Sequence, residues 1–193
     1  MKSRWVTLAL CLVAVAILVM RLLPHRHGNP LALSPTRVNS GNAYAGLRSM
    51  VLEGTRANFG LGPGASPTQP FAVVTDWGDA QGATTIIAVA DGSASVYPSS
   101  GAASIGGGQS HESIRNAALK TVELASAVQP LMHATTEFPL APRGQVSFYV
   151  VTDSGVFTAT ASQEDLSGNR SPFSALGAGA QNIVAEYRRL APP

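Results

Sequence analysis

The chain has 193 residues, enough for one domain and an appendage, with 45% hydrophobic and only 12% charged residues. Its formal charge of +2 misleads: Lys2, Arg4, Arg21 and Arg26 are four of the 13 basic residues, leaving nine basic against 11 acidic residues from residue 28 onward. With no basic cluster to track phosphates, nucleic-acid binding is excluded, and with Cys11 as the only cysteine a disulfide within the chain and a cysteine-based metal site or nucleophile are excluded too.

Trp5 to Met20 is a run of 16 uncharged residues, and Trp5–Leu23 gives 19, close to the roughly 20 needed to cross a hydrocarbon core. Trp5 and Arg21 suit the two interfaces. The rival reading, a cleaved signal peptide, fits Lys2 and Arg4 but lacks a small-x-small cleavage site after the run. We expect residues 1–24 to be an uncleaved single-pass anchor, 25–41 a Pro/Gly/Ser/Asn-rich linker, and 42–190 one globular domain. The basic residues on the two flanks nearly balance, so they do not orient the anchor.

Helical spacing of Tyr44, Leu47, Val51 and Leu52 predicts a helix over 42–53. Residues 55–70, rich in Gly and Pro, read as a loop. Strands follow at 71–76, 84–89 and 93–97, joined by a turn over 77–82 and a tight Asp91-Gly92 hairpin turn. A glycine-rich stretch, Ser104 to Ser110, then runs into a second helix capped by Ser110, with Ile114, Ala117, Ala118, Thr121, Val122, Ala125 and Val128 on its buried face. Strands at 145–152 and 156–161, a polar loop over 163–170 and a last helix after Ser171-Pro172 complete the chain. In that last helix Gly177 and Gly179 each cost roughly 1 kcal/mol relative to alanine, which close packing would offset. The expected fold is α+β: a five-stranded, mainly antiparallel sheet with three helices, in the order α-βββ-α-ββ-α, preceded by one transmembrane helix.

Two resemblances bear on this reading. The element order is similar to that of roadblock/longin and profilin-like domains, which run α-ββ-α-βββ-α, with one strand moved across the middle helix. More closely, Asp91-Gly92-x-Ala94-Ser95-x-Tyr97 and Ile105-Gly106-Gly107-Gly108-x-x-His111-Glu112-Ser113-x-Arg115-x-Ala117-Ala118 resemble a family of uncharacterised bacterial proteins. Asp76-Trp77, Pro142-x-Gly144-x-Val146-x-Phe148-Tyr149 and Ser174-Ala175-Leu176 extend the likeness over about three quarters of the chain. The family implies no activity. Its anchorless members imply a cytoplasmic side for the domain.

No residues form a recognisable catalytic constellation, and no metal or cofactor is expected. His111, beside Ser110, Glu112 and Ser113, invites a hydrolase reading, but adjacent side chains at a helix start diverge. Asp76, Asp79, Asp91 and Asp153 read as turn residues. If the domain binds a small ligand or an anion, the candidate residues are Gly106, Gly107, Gly108, Ser110, His111 and Arg115, where a glycine loop meets a helix N-terminus. No P-loop lysine and no G-x-G-x-x-G pattern is present there. The leading expectation is a membrane-anchored, non-enzymatic interaction module that binds a protein partner or a second copy. The anion site is the alternative, and a hydrolase ranks last.

Overall fold

A computed structural model describes residues 40–99, 104–105 and 107–190, all within one compact unit. The expected anchor Trp5–Leu23, residues 25–39 of the expected linker and Gly106 lie outside the described residues, and the linker's last two expected residues, Ser40 and Gly41, already belong to the first helix. Among the described residues no helix is long and apolar enough to cross a membrane.

The domain is α+β, as its alternating patterns imply. Helix α1 spans Ser40–Leu52. Strands β1 (Ala72–Asp79), β2 (Gly82–Val89), β3 (Ala94–Pro98) and the two-residue β4 (Ser104–Ile105) follow. The single-turn α2 (Gly107–Ser110) leads into α3 (Glu112–Val128). Then come β5 (His133–Thr135), β6 (Gln145–Thr152), β7 (Gly155–Ser162), the short α4 (Gln163–Ser167) and α5 (Ser174–Leu190). Strand order is β4-β3-β2-β1-β6-β7-β5, with every pairing antiparallel.

Among the described residues the sheet therefore has seven strands instead of five. Both additions are edge strands of two or three residues, too short to carry a period-2 pattern. The helices number five among the described residues, not three. The 163–170 stretch is not all loop: Ser162 caps α4 by accepting from the Asp165 N–H. Strand β1 runs three residues past its expected end, so Trp77 lies on a strand and not in a turn. The Asp91-Gly92 turn is also looser than expected. Only Gly92 has positive φ, and the Asp91 carboxylate accepts from the Ser93 N–H and hydroxyl instead.

Because side chains alternate along a strand, the sheet buries two faces. On one, Val73, Ile86, Phe148 and Val150 pack beneath α3 and α5, which contribute Ile114, Ala118, Leu176 and Ile183. The seven expected apolar positions of α3 are all buried. On the other face, Val74, Ile87, Tyr149 and Val151 pack with Val51 and Leu52 of α1. The loop from β5 to β6 passes so close to β1 that a Cβ on Gly78 would lie 2.0 Å from the Pro142 carbonyl oxygen.

Thr75, on the same face of β1 as Val73, holds a buried hydroxyl with no hydrogen-bond partner. A buried polar group without a partner retains its desolvation cost. Thr75→Val should therefore raise the unfolding free energy, by about 1 kcal/mol or more, read as a higher urea midpoint at unchanged slope.

Candidate functional site

Two polar clusters bear on function. The first is the glycine stretch singled out in the sequence. Gly107 and Gly108 open α2, Ser110 ends it, His111 is the N-cap of α3 and Arg115 lies one turn in. Helix α3 thus starts one residue later than expected, capped by His111 and not Ser110, and the His111 side chain makes no capping bond. Ser110, His111 and Arg115 are exposed.

The glycines meet protein. The Gly107 N–H donates to the Tyr187 hydroxyl at 2.8 Å, and that hydroxyl donates to the Ala94 carbonyl at 2.7 Å. Burial raises the pKa of this phenol, against the pull of the Gly107 bond. A Cβ on Gly107 would stand 2.6 Å from the Tyr187 ring, and one on Gly108 1.9 Å from the Gly92 carbonyl oxygen. Gly92, at positive φ, lies in turn beneath the Arg115 stem, 2.5 Å from where its Cβ would be. The stretch ties α2 to the Tyr187 side chain of α5 and to the backbone of the β2–β3 turn. That accounts for Gly107 and Gly108 by packing, and it engages one of the amides an anion would need. No hydrogen bond links His111 to Ser110, Glu112 or Ser113 among the described residues, so no nucleophile–base pair is assembled there.

The second cluster was not anticipated. Asp76, expected in a turn, lies on β1 with no solvent exposure, and Arg48 of α1 reaches it across the interface. Arg48 Nη2 donates to Asp76 Oδ2 at 2.5 Å and Nε to the same oxygen at 3.0 Å, while Nη1 donates to the Phe138 carbonyl at 2.9 Å. The Thr85 hydroxyl donates to Asp76 Oδ1 at 2.5 Å. Since a threonine has one proton to give, the Tyr44 hydroxyl donates to Thr85, at 2.6 Å. The guanidinium stacks 5.2 Å from the centre of the Tyr149 ring. Burial would lower the Arg48 pKa, but the hydrogen bond and charge of Asp76 hold it above its ordinary value. Burial raises both tyrosines, opposed at Tyr149 by the charge of Arg48. Each guanidinium nitrogen and each carboxylate oxygen of the ion pair has a protein partner, so this is a latch holding α1 to the sheet. The sequence did carry a signal for it: Arg48 interrupts the apolar stripe Tyr44, Leu47, Val51.

Among the described residues no cluster of His, Cys, Asp and Glu can hold a metal ion. No family model, no curated protein and no solved structure matches the chain.

Two expectations follow. Gly108→Ala should lower stability by about 1–3 kcal/mol through overpacking, and should leave any thermal shift with phosphate or sulfate as small as in the parent chain. For the latch, Asp76→Ala or Arg48→Ala alone should cost about 3–5 kcal/mol, while Arg48→Met with Asp76→Leu costs far less than the sum, as denaturant unfolding in a double-mutant cycle would show.

Proposed function

We propose that the protein is a membrane-anchored bacterial interaction module without enzymatic activity, tethered through Trp5–Leu23 with its domain on the cytoplasmic side, and that the outer edge of β7 receives an extended segment of a protein partner or of a second copy. The observation that carries this reading is the mismatch between β7 and its neighbour. β7 has eight residues, and β5 pairs with only Val156, Phe157 and Thr158.

The register identifies the groups left over. The Val151 carbonyl accepts from the Phe71 N–H, so Val151 faces β1 and the alternate residues of β6 face β7. Through the β6–β7 pairing, Phe157, Ala159 and Ala161 bond inward while Thr158, Thr160 and Ser162 turn their backbone outward. Thr158 meets β5; beyond it Thr160 carries an outward N–H and C=O. This edge, Ala159-Thr160-Ala161-Ser162, lacks the lysine, proline and charge that commonly block strand addition. The small-ligand alternative at Gly106–Arg115 is the weaker reading, because the described glycines are engaged by Tyr187 and Gly92.

A photo-crosslinking amino acid at Thr160 of the full-length chain, in its native membrane, should give a discrete adduct. The same group at Ala127, exposed on α3, should give none. An adduct of twice the chain mass identifies a second copy, and any other mass a partner. Thr160→Pro should fold, since its N–H is outside the sheet, and should no longer retain the species identified by the adduct. Equal adducts at both positions, or none at Thr160, would sink the proposal.

A further inference from the structure

Beneath Trp77, on the face of the sheet covered by α3 and α5, lies a cleft of about 330 Å³. It is lined by Trp77 and Leu166, by Ser167, and by Ser174, Gly177, Ala178 and Gln181 of α5. We infer that this cleft is a binding site for a small, neutral, planar aromatic molecule that carries a hydrogen-bond acceptor. The inference is independent of the β7 edge.

Three observations support it. The first is a helical stripe of unusual composition. Ser174, Gly177, Ala178 and Gln181 recur at i, i+3, i+4 and i+7 along α5, the spacing at which a helix normally presents large apolar residues to a sheet. The neighbouring stripe, Leu176, Ala180 and Ile183, does fill the core. The small stripe instead leaves the half-buried indole of Trp77 facing open space.

The second is that packing does not require the glycine at the centre of the stripe. A Cβ on Gly179 would press against Thr121 and Leu124 at 3.0 and 3.1 Å, which accounts for that residue. The nearest atoms to one on Gly177 would be the two Leu166 methyls at 3.4 and 3.5 Å and the Phe148 ring at 3.7 Å, ordinary contacts, and its φ is not in the left-handed region. Alanine would fit there and favour the helix. Glycine keeps the cleft deep.

The third concerns polarity. No charged side chain lines the cleft among the described residues. Glu164 and Asp165, nearby on α4, are tied to Arg170. An ionic ligand would thus lose hydration without gaining a partner. The Ser174 hydroxyl is engaged by the α4–α5 backbone and Ser167 by the Glu164 carbonyl. By contrast, the Trp77 indole N–H and the Gln181 side-chain amide have no hydrogen-bond partner among the described residues. An indole, a largely apolar lining and two uncommitted polar groups among the lining side chains select a flat, uncharged ring with an acceptor.

The test uses the full chain in detergent with Trp5→Phe, so that Trp77 is the only tryptophan and, as fluorotryptophan, gives a single fluorine NMR resonance. Benzamide should shift that resonance saturably at millimolar concentration. Benzoate, of equal shape but charged, and cyclohexanecarboxamide, neutral but not planar, should bind about tenfold more weakly or not at all. Ala178→Phe, an exposed position at the mouth of the cleft, should abolish the benzamide shift while thermal unfolding stays that of the parent. Gly177→Ala should weaken binding several-fold. The inference is overturned if benzamide gives no saturable shift, if benzoate shifts the resonance equally, or if the Ala178→Phe chain responds like the parent.

Discussion

The fold depends on neutralising one carboxylate. Asp76 sits on β1, paired with β2 on one side and β6 on the other, and no water reaches it. Burying an isolated carboxylate in such a place would cost far more than a domain of this size can offset. Arg48 makes it tolerable, and in doing so fixes much else. It sets the rotation of α1 about its axis, places Tyr44 over Thr85, and holds the β5–β6 loop through the Phe138 carbonyl. A pair of this kind contributes less to net stability than well-packed hydrophobic residues would. Its effect here is positional: it permits one seating of α1 on the sheet and penalises others by leaving a charge unpaired.

The two faces of the sheet solve the burial problem differently. The α3/α5 face is closed by small residues that let helices approach, among them Ala117, Ala118 and Ala125 of α3, and Gly179 of α5, which sits against Thr121 and Leu124. The α1 face is closed by one helix, a polar latch and irregular chain. On that side a second ion pair, Arg56 to Asp153 at 2.6 Å, ties the 55–70 loop to the β6–β7 turn, with the guanidinium 5.2 Å from the Phe71 ring centre. Arginine suits both places because its planar guanidinium can bond in its plane and stack across it. Charge is scarce in this sequence, and two of its arginines are used to substitute for missing secondary structure.

What the sequence revealed follows the strength of its periodic signals. Strand β6 was readable to the residue, because Gln145-Val-Ser-Phe-Tyr-Val-Val-Thr152 is strongly β-forming and bounded by Gly144 and Asp153. The buried face of α3 was readable for the same reason. β1 was cut short at Asp76 because Gly78 and Asp79 are poor strand formers whose pairing is imposed by β2. β5 is three residues long and has no pattern of its own. α4 carried a usable cue, Ser162 with Asp165 three residues on, but only Leu166 marks its buried side. The partner of Asp76 lies 28 positions upstream in another element, a distance at which no local rule operates.

The same distinction applies to the glycines, and it changes what a glycine-rich motif implies in this chain. The densest cluster, at Gly107–Gly108, draws attention because such loops often cradle phosphates. In three dimensions those positions are required by the backbone of Gly92 and the ring of Tyr187, so the fold alone is sufficient reason for them. Gly177 lies within a helix, two residues before Gly179 and in no loop motif, and the fold gives no equivalent reason for it. A residue that weakens its own element without being needed by its neighbours is a better indicator of a site than Gly107 and Gly108, both already in contact. By that criterion attention moves from the N-terminus of α3 to the opposite end of the helical layer, where Trp77 faces the small stripe of α5.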